Sequence, residues 1–190
     1  ICNLALSEIG NYRITGLDDQ SEEGIVCRLL YPVTRDEVIA SPAIEWNIAT
    51  GRAQLTEHAD TPAFAWARQF QIPADPKILR VIAMVDSNDN SKTIPWAREG
   101  NLILTDDSTC YIKYIKQVTD PTQFPPLLYE AIYTNLASKL AVKIAKNPTL
   151  RRELLLRYVN DVLPRAQEAN AAESYQEGEE GNEDWIETGR

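Results

Sequence analysis

A regular pattern of apolar residues in the region 125–147 predicts one long helix. Large aliphatic side chains recur at four-residue steps: Leu128, Ile132, Leu136, Leu140 and Ile144. A second row at the same spacing contains Tyr133, Ala137, Ala141 and Ala145. Four-residue steps place both rows on one broad face of a helix. Because an isolated helix is marginally stable in water, we expect this one to form the core of a helical domain.

Three further segments carry helical patterns. The first covers residues 1–9, and the second begins near residue 22 and stops before Ser41. Three residues can cap the second helix: Asp18, Asp19 and Ser21. Pro32 lies inside it, so the segment forms either two helices or one kinked helix, and we favour the kink. A last helix begins near Leu150, is kinked or ended by Pro164, and continues to about residue 172.

The middle of the chain has a shorter hydrophobic period that predicts strands. Runs rich in Ile, Val, Leu, Trp and Tyr occupy residues 68–72, 78–86, 93–98, 102–105 and 110–116. Residues 49–57 form either another strand or the tail of a helix. Polar turns separate the runs at residues 87–90, 99–101 and 106–108. This pattern predicts an antiparallel meander.

These elements together predict an α+β fold. We expect a mainly helical bundle with an inserted small antiparallel β-sheet and a disordered acidic C-terminal arm. The helical domain would comprise residues 1–47 and 121–172, the β domain residues 48–120, and the arm residues 173–190.

Charge is unevenly distributed along the chain. The 190 residues carry a formal net charge of −9, and the sequence pI is about 4.7. Residues 173–190 contain seven acids and one base, which accounts for most of the excess. An acidic balance argues against a phosphate-binding surface, and no apolar run is long enough to cross a bilayer.

The residues offer little catalytic chemistry. His58 is the single histidine, and one histidine without a nearby ligand in register is typical of a plain surface residue. Three cysteines without C-x-x-C spacing predict buried thiols and no disulfide or zinc site: Cys2, Cys27 and Cys110. Three pairs of adjacent acids occur in turns and first helical turns: Glu22/Glu23, Asp36/Glu37 and Asp106/Asp107. This placement is typical of a solvent-exposed face. We therefore predict no catalytic residue, no metal and no cofactor.

The four tryptophans lie in two different sequence environments. Trp46, Trp66 and Trp96 lie among apolar residues and are predicted to be core. Trp185 and Ile186 instead interrupt the acidic arm, with Tyr175 upstream. They are either incidental in a solvating tail or the anchors of a segment that orders on a partner. We favour the second interpretation, because acidic disordered tails are usually poor in aromatic residues.

Several short stretches, in order along the chain, resemble a known family. They are residues 31–39 (YPVTRDEVI), 46–47 (WN), 52–53 (RA), 62–66 (PAFAW), 70–73 (FQIP), 79–81 (LRV), 99–105 (EGNLILT), 114–115 (YI) and 118–121 (VTDP). Together they resemble the tail tubular protein A and head-to-tail adaptor family of tailed bacteriophages. The resemblance covers about residues 1–158, and the arm lies outside it.

The resemblance implies a structural protein of the virion neck, assembled in the host cytoplasm. It implies a homo-oligomeric ring of twelve copies between the portal protein and a tail nozzle of the tail tubular protein B type. DNA would pass through the channel without sequence-specific binding, and an acidic wall would let it slide. The resemblance also raises an alternative, a tail-associated peptidoglycan or polysaccharide hydrolase. A soluble interaction domain unrelated to phages is a third possibility.

Two sets of residues are candidates for partner contacts. Tyr175, Trp185 and Ile186 would bind the portal through the C-terminal arm. Arg35, Asp36 and Glu37 are candidates for contacts between subunits, since a closed ring needs two complementary faces on each copy. An ion pair within the subunit explains this charged triplet equally well.

Overall fold

Helices and antiparallel sheets share the chain in the computed structural model, which describes residues 1–86 and 93–173. Helices account for 45% and strands for 20% of these residues, and the strands form two sheets. The prediction of a mainly helical bundle with one small sheet is therefore wrong. The inserted region divides into two sheets, which bury a second apolar core between them. The predicted disordered arm lies outside the described residues, apart from Glu173.

The helices follow the predicted order along the chain. They are α1 (Cys2–Glu8), α2 (Glu22–Ala40), α3 (Pro126–Lys143), α4 (Pro148–Arg157) and α5 (Leu163–Ala172). A π-helical turn, Tyr158–Val162, joins α4 to α5, so these two form one continuous rod. Two short 3-10 turns, Asn47–Ala49 and Pro121–Gln123, mark the borders of the strand region.

Helix α3 is enclosed by the rest of the molecule, as its apolar rows predict. Four of its large aliphatic residues have no exposed surface: Leu128, Ile132, Leu136 and Leu140. Thr134, Asn135 and Ser138 are also buried, so protein surrounds the helix on more than its apolar face. The helix ends at Lys143, earlier than predicted, because Lys146 adopts φ 51° and the Asn147 side chain caps α4.

Helix α2 runs unbroken through Pro32, which excludes the two-helix alternative. Ser21 is its N-cap, and the Ser21 hydroxyl accepts a hydrogen bond from the Gly24 N–H at 3.2 Å. Gly24 is required here because a Cβ at this position would lie 2.4 Å from the carbonyl oxygen of Asp19. The start of α2 is therefore packed directly on the preceding loop.

Asp19 organises that loop. Its carboxylate accepts hydrogen bonds from the backbone N–H of Ser21 at 2.9 Å and of Thr15 at 3.0 Å. The Thr15 hydroxyl donates a third bond at 3.1 Å. These donors favour the charged form and hold the pKa of Asp19 well below its usual range.

The π-helical turn before α5 has a local cause. Pro164 has no N–H to donate and its ring would crowd the carbonyl of residue 160 in a regular helix. The wider turn at Tyr158–Val162 accommodates this ring without ending the rod. Tyr158 and Val162 stay buried on the side that faces α3.

The strands form two antiparallel sheets and not a meander. They are β1 (Thr50–Gln54), β2 (Thr56–Glu57), β3 (Arg68–Gln71), β4 (Ile78–Val85), β5 (Ala97–Glu99), β6 (Leu102–Thr105) and β7 (Tyr111–Lys116). Sheet A has the order β1-β7-β4, and sheet B has the order β2-β3-β6-β5. The meander prediction is wrong because β7 pairs between β1 and β4, and β6 pairs between β3 and β5. The predicted turn at residues 87–90 lies outside the described residues.

Two apolar cores meet at sheet A. One surrounds α3 and includes Ile115 of β7, whereas the other lies between the sheets and includes Ile112 of the same strand. Residues 112 and 115 differ by an odd number of positions, so their side chains leave opposite faces of the sheet. Sheet A is therefore a middle layer between the helices and sheet B. The domain division at residues 48 and 120 stays a prediction, and the core around α3 crosses it.

The predicted burial of the tryptophans and cysteines is confirmed for Trp46, Cys27 and Cys110. Trp46 is 2% exposed, and its indole N–H donates to the Val38 carbonyl at 3.1 Å. Trp96 packs against the second core, whereas Trp66 is half-buried and belongs to neither core. Cys27 and Cys110 are buried free thiols, and Cys2 is partly exposed.

Because α3 has its large side chains fully buried, truncating one should be costly. Leu136→Ala should lower the free energy of unfolding by about 2–5 kcal/mol, from lost burial and the cavity left behind. Leu29→Ala is the matched control, because Leu29 is 69% exposed; it should change the free energy by less than about 0.5 kcal/mol. Urea unfolding followed by circular dichroism measures both. Equal effects of the two substitutions would contradict the enclosure of α3.

The lowered pKa of Asp19 predicts a pH-dependent stability. A carboxyl whose pKa falls on folding stabilises the fold above its unfolded pKa of about 3.9, and this stabilisation is lost as the pH drops below that value. Asp19→Asn should therefore lower the Tm at neutral pH, and its difference from the parent chain should shrink between about pH 4 and pH 2. The exposed Asp18→Asn serves as control, and calorimetry across the pH range measures both. A deficit that stays constant with pH would contradict the assignment.

Candidate functional site

The structure places the charged triplet of α2 at the boundary between the helices and sheet A. Arg35 is only 7% exposed, and its guanidinium donates to the Asp36 carboxylate at 2.8 and 2.9 Å. The same guanidinium lies 5.9 Å from the centroid of the Tyr31 ring, which is within cation–π range. The charge of Arg35 is thus paired and covered within the subunit.

Asp36 also joins α2 to the ends of two strands. Its second carboxylate oxygen accepts a hydrogen bond from the Gln117 side chain, just after β7. Lys77, just before β4, places its ammonium 3.9 Å from the same oxygen. The backbone N–H of Gln117 donates to the Lys77 carbonyl at 2.9 Å. One carboxylate therefore connects the helical layer to neighbouring strands of sheet A.

Glu37 reaches a different element. Its carboxylate pairs with the Lys139 ammonium of α3. The ion-pair alternative for the triplet thus matches the contacts within one copy. The inter-subunit role of Arg35, Asp36 and Glu37 stays a prediction, in which only Glu37, with a side chain 55% exposed, offers much free surface.

The predicted arm anchors Tyr175, Trp185 and Ile186 lie outside the described residues. The structure does show where the arm begins. Glu173 lines an open apolar pocket of about 310 Å³ together with Trp46, Pro125, Pro126, Leu127, Ala166, Ala169 and Asn170. The arm therefore departs beside the N-terminal end of α3.

Two rows of exposed apolar side chains lie on the helices. The first, the α2 row, consists of Ile25, Leu29 and Val33, which are 46%, 69% and 62% exposed. The second, the α4 row, consists of Leu156 and Val159, which are 51% and 54% exposed. Members of each row are three or four positions apart, so they share one side of their helix. Apolar side chains grouped in this way on a surface are typical of contact faces.

A basic groove lies between α2, α3 and α4. Leu30 and Val142 supply its apolar surface, and the basic rim consists of Lys139, Lys143 and Arg151. The groove has a volume of about 230 Å³. Apolar periodicity does not reveal this groove. The sequence does indicate it in another way, because residues 139–152 contain five bases and no acid.

A strained loop of the β region presents an aromatic side chain. Phe64 is 83% exposed, and the following Ala65 has φ 68°, in the region that favours glycine. The Trp66 N–H donates to the Phe64 carbonyl at 2.9 Å, which makes this a tight three-residue turn. The next residue is anchored, because the Ala67 N–H donates to the Asp106 carboxylate at 2.9 Å. Phe64 thus projects from a fixed base.

Several acids and the histidine have structural partners among the described residues. His58 places Nδ1 3.2 Å from the Gln69 amide nitrogen, and the Asp60 N–H donates to the same Nδ1. Glu8 and Glu130 face a shared Arg157, not each other, at 3.0 and 3.5 Å. Hydrogen bonds from Thr122 lower the pKa of Asp120, whereas a catalytic general acid needs a raised one. This arrangement is suited to holding loops and helices together.

Within residues 1–86 and 93–173, no cluster of three or more His, Cys, Asp and Glu side chains is placed to bind a metal ion. No helix there combines the length and the apolar character needed to span a bilayer.

Comparison with known proteins adds no assignment. No protein-family model matches the chain, and no curated protein matches it.

The contacts of Asp36 with Arg35, Gln117 and Lys77 form a junction, here called the Asp36 junction. We predict that substitution of Asp36 destabilises the fold more than substitution of the neighbouring Glu37. Asp36→Asn should lower the free energy of unfolding by about 1–3 kcal/mol, because it leaves the buried Arg35 without its charged partner. Glu37→Gln removes only an exposed pair and should cost less than about 1 kcal/mol. Urea titration of both variants measures the difference. If Glu37→Gln were the more destabilising, the junction would not depend on Asp36.

Proposed function

We propose that this chain is a structural subunit of a phage head-to-tail connector, forming a ring between the portal and the tail nozzle. DNA would pass through the ring, and the protein would have no catalytic activity. The resemblance of about residues 1–158 to head-to-tail adaptors supplies the identity of the assembly. The surface of the helices supplies the physical support.

The observation that carries the proposal is the pair of unlike apolar rows. A closed ring joins copies through heterologous contacts, so each copy must present two different complementary surfaces. The α2 row and the α4 row lie on separate helices that both pack on α3. Such an arrangement allows one copy to contact two neighbours at once.

The charge of the chain fits a channel for DNA. The charge of −9 per copy, of which −6 lies in residues 173–190, gives a ring of such copies an acidic average. Repulsion between carboxylates and phosphates prevents tight binding, so the duplex can slide. The basic groove between α2, α3 and α4 would need to be turned away from the lumen or covered.

The absence of catalysis is part of the proposal. Hydrolysis of a glycan requires two carboxyl groups across a cleft, one of them kept protonated near neutral pH. Glu8 of α1 and Glu130 of α3 are instead held by the same base, Arg157 of α4. An arginine shared by two acids in this way joins three helices, which supports the structural role over the hydrolase.

Electron microscopy of the purified full chain, alone and mixed with its portal protein, tests the proposal. We expect rings with a central channel. Leu29→Asp should abolish them by placing a charge in the α2 row, whereas Tyr12→Asp, at an 86% exposed residue outside both rows, should leave them intact. Circular dichroism checks that both variants fold. A chain that stays monomeric with and without the portal would overturn the proposal.

A further inference from the structure

The basic groove carries charges that the rest of the subunit leaves unmatched. Lys139 pairs with Glu37. In the part of the chain that the structure describes, Lys143, Lys146, Arg151 and Arg152 have no acid within ion-pair distance, and all four are exposed. This is a local positive surface on a chain whose net charge is −9.

The placement of two of these bases is unfavourable within the subunit. Arg151 and Arg152 lie close to the N-terminal end of α4, and the first turn of α4 has no acid. The N-terminal end of a helix carries partial positive charge and favours anions. A bound anionic partner would relieve both the mutual repulsion of the bases and their repulsion from the helix end.

The groove also offers apolar surface to its partner. Leu30 and Val142 line it, and Val142 is 38% exposed. Val33 lies one helical turn beyond Leu30, so the α2 row continues the apolar surface out of the groove. A matching ligand would therefore combine several negative charges with at least one large apolar side chain.

Residues 174–190 of this chain have that composition. They contain six acids and one base, and they include Tyr175, Trp185 and Ile186. Glu183 and Asp184 immediately precede the Trp185–Ile186 pair, and Glu187 follows it. Apolar anchors flanked by acids complement an apolar groove flanked by bases.

We propose that the basic groove between α2, α3 and α4 binds the acidic segment 174–190 of a neighbouring copy, with Trp185 and Ile186 against Leu30 and Val142. The inference rests on the proposed function, because it requires copies of the chain to associate. It gives Trp185 and Ile186 a partner within the ring as an alternative to the portal.

Continuity with the proposed ring contact favours a neighbouring copy over the same copy. Val33 of the α2 row lies one helical turn from Leu30 of the groove, and the proposed ring places that row against a neighbour. The arm begins elsewhere on the subunit: Glu173 lies beside Pro125–Leu127, about 20–25 Å along α3 from Lys139–Lys143. A neighbour's segment is therefore the one that the ring would bring to the groove.

A peptide-binding experiment tests the contact itself. A fluorescent peptide of residues 174–190 is titrated with the full-length W185A/I186A variant, whose own segment has lost its anchors. We expect saturable binding in fluorescence anisotropy, weakened at least tenfold by adding K143E/R151E and at least tenfold by raising NaCl from 50 to 500 mM. The matched control R13E/R98E reverses the same number of exposed bases elsewhere and should change binding less than twofold. A scrambled peptide that binds equally well would overturn the proposal.

Complementation in sedimentation velocity tests whether the contact joins two copies. W185A/I186A has an intact groove, and K143E/R151E has an intact segment, so each alone should associate at least tenfold more weakly than the parent chain. A mixture of the two should form a one-to-one heterodimer that neither variant forms alone, since each mixed pair keeps one intact segment–groove contact. Circular dichroism establishes that both variants fold. Absence of the heterodimer would overturn docking between copies, even if the peptide binds.

The outcomes separate this inference from the proposed ring. Rings that form normally with W185A/I186A and with K143E/R151E would overturn the inference and leave the connector proposal standing. Conversely, peptide binding and heterodimer formation without any ring would support the contact between copies and contradict the connector.

Discussion

Burial of α3 is the constraint on which the rest of the structure depends. Leu128, Ile132, Leu136 and Leu140 lose all their exposed surface only because other elements cover the helix from several sides. Helices α1, α2 and α4 and the rod that continues into α5 all pack on it. Each covering element buries one apolar face against α3. Apolar residues that remain on its outer side are therefore a surplus that this core does not need. The α2 and α4 rows are that surplus, and contact with another molecule is the simplest use for it.

The same constraint explains how the strand region is attached. Sheet A lies over the core around α3 through Ile115, and Asp36 joins α2 to residues beside β4 and β7. A sheet covered on one face by helices still has a second face to bury. Sheet B covers that face, with Phe70 and Ile103 against Met84 and Ile112. The result is three layers with β7 in the middle one.

Local pattern predicted the helices well, because four-residue periodicity and caps are properties of neighbouring residues. The α3 rows and the Ser21 cap are examples. Strand pairing was predicted poorly, since nothing in residues 50–116 indicates that β7 inserts between β1 and β4. The basic groove was missed for a related reason: Leu30 and Arg151 are distant in sequence, and only the fold brings them together. The bases themselves were visible as a run without acids.

The tight turn at Ala65 has a consequence for whatever meets the sheet region. A side chain on a flexible loop loses many conformations when it binds a partner, and this loss of entropy weakens the affinity. The backbone at Phe64 has already lost much of this conformational freedom, because the Trp66 and Ala67 amides hold the chain on its C-terminal side. A side chain on such an ordered loop can enter a binding pocket with little further loss of backbone entropy. It fits only a pocket whose shape and position match it.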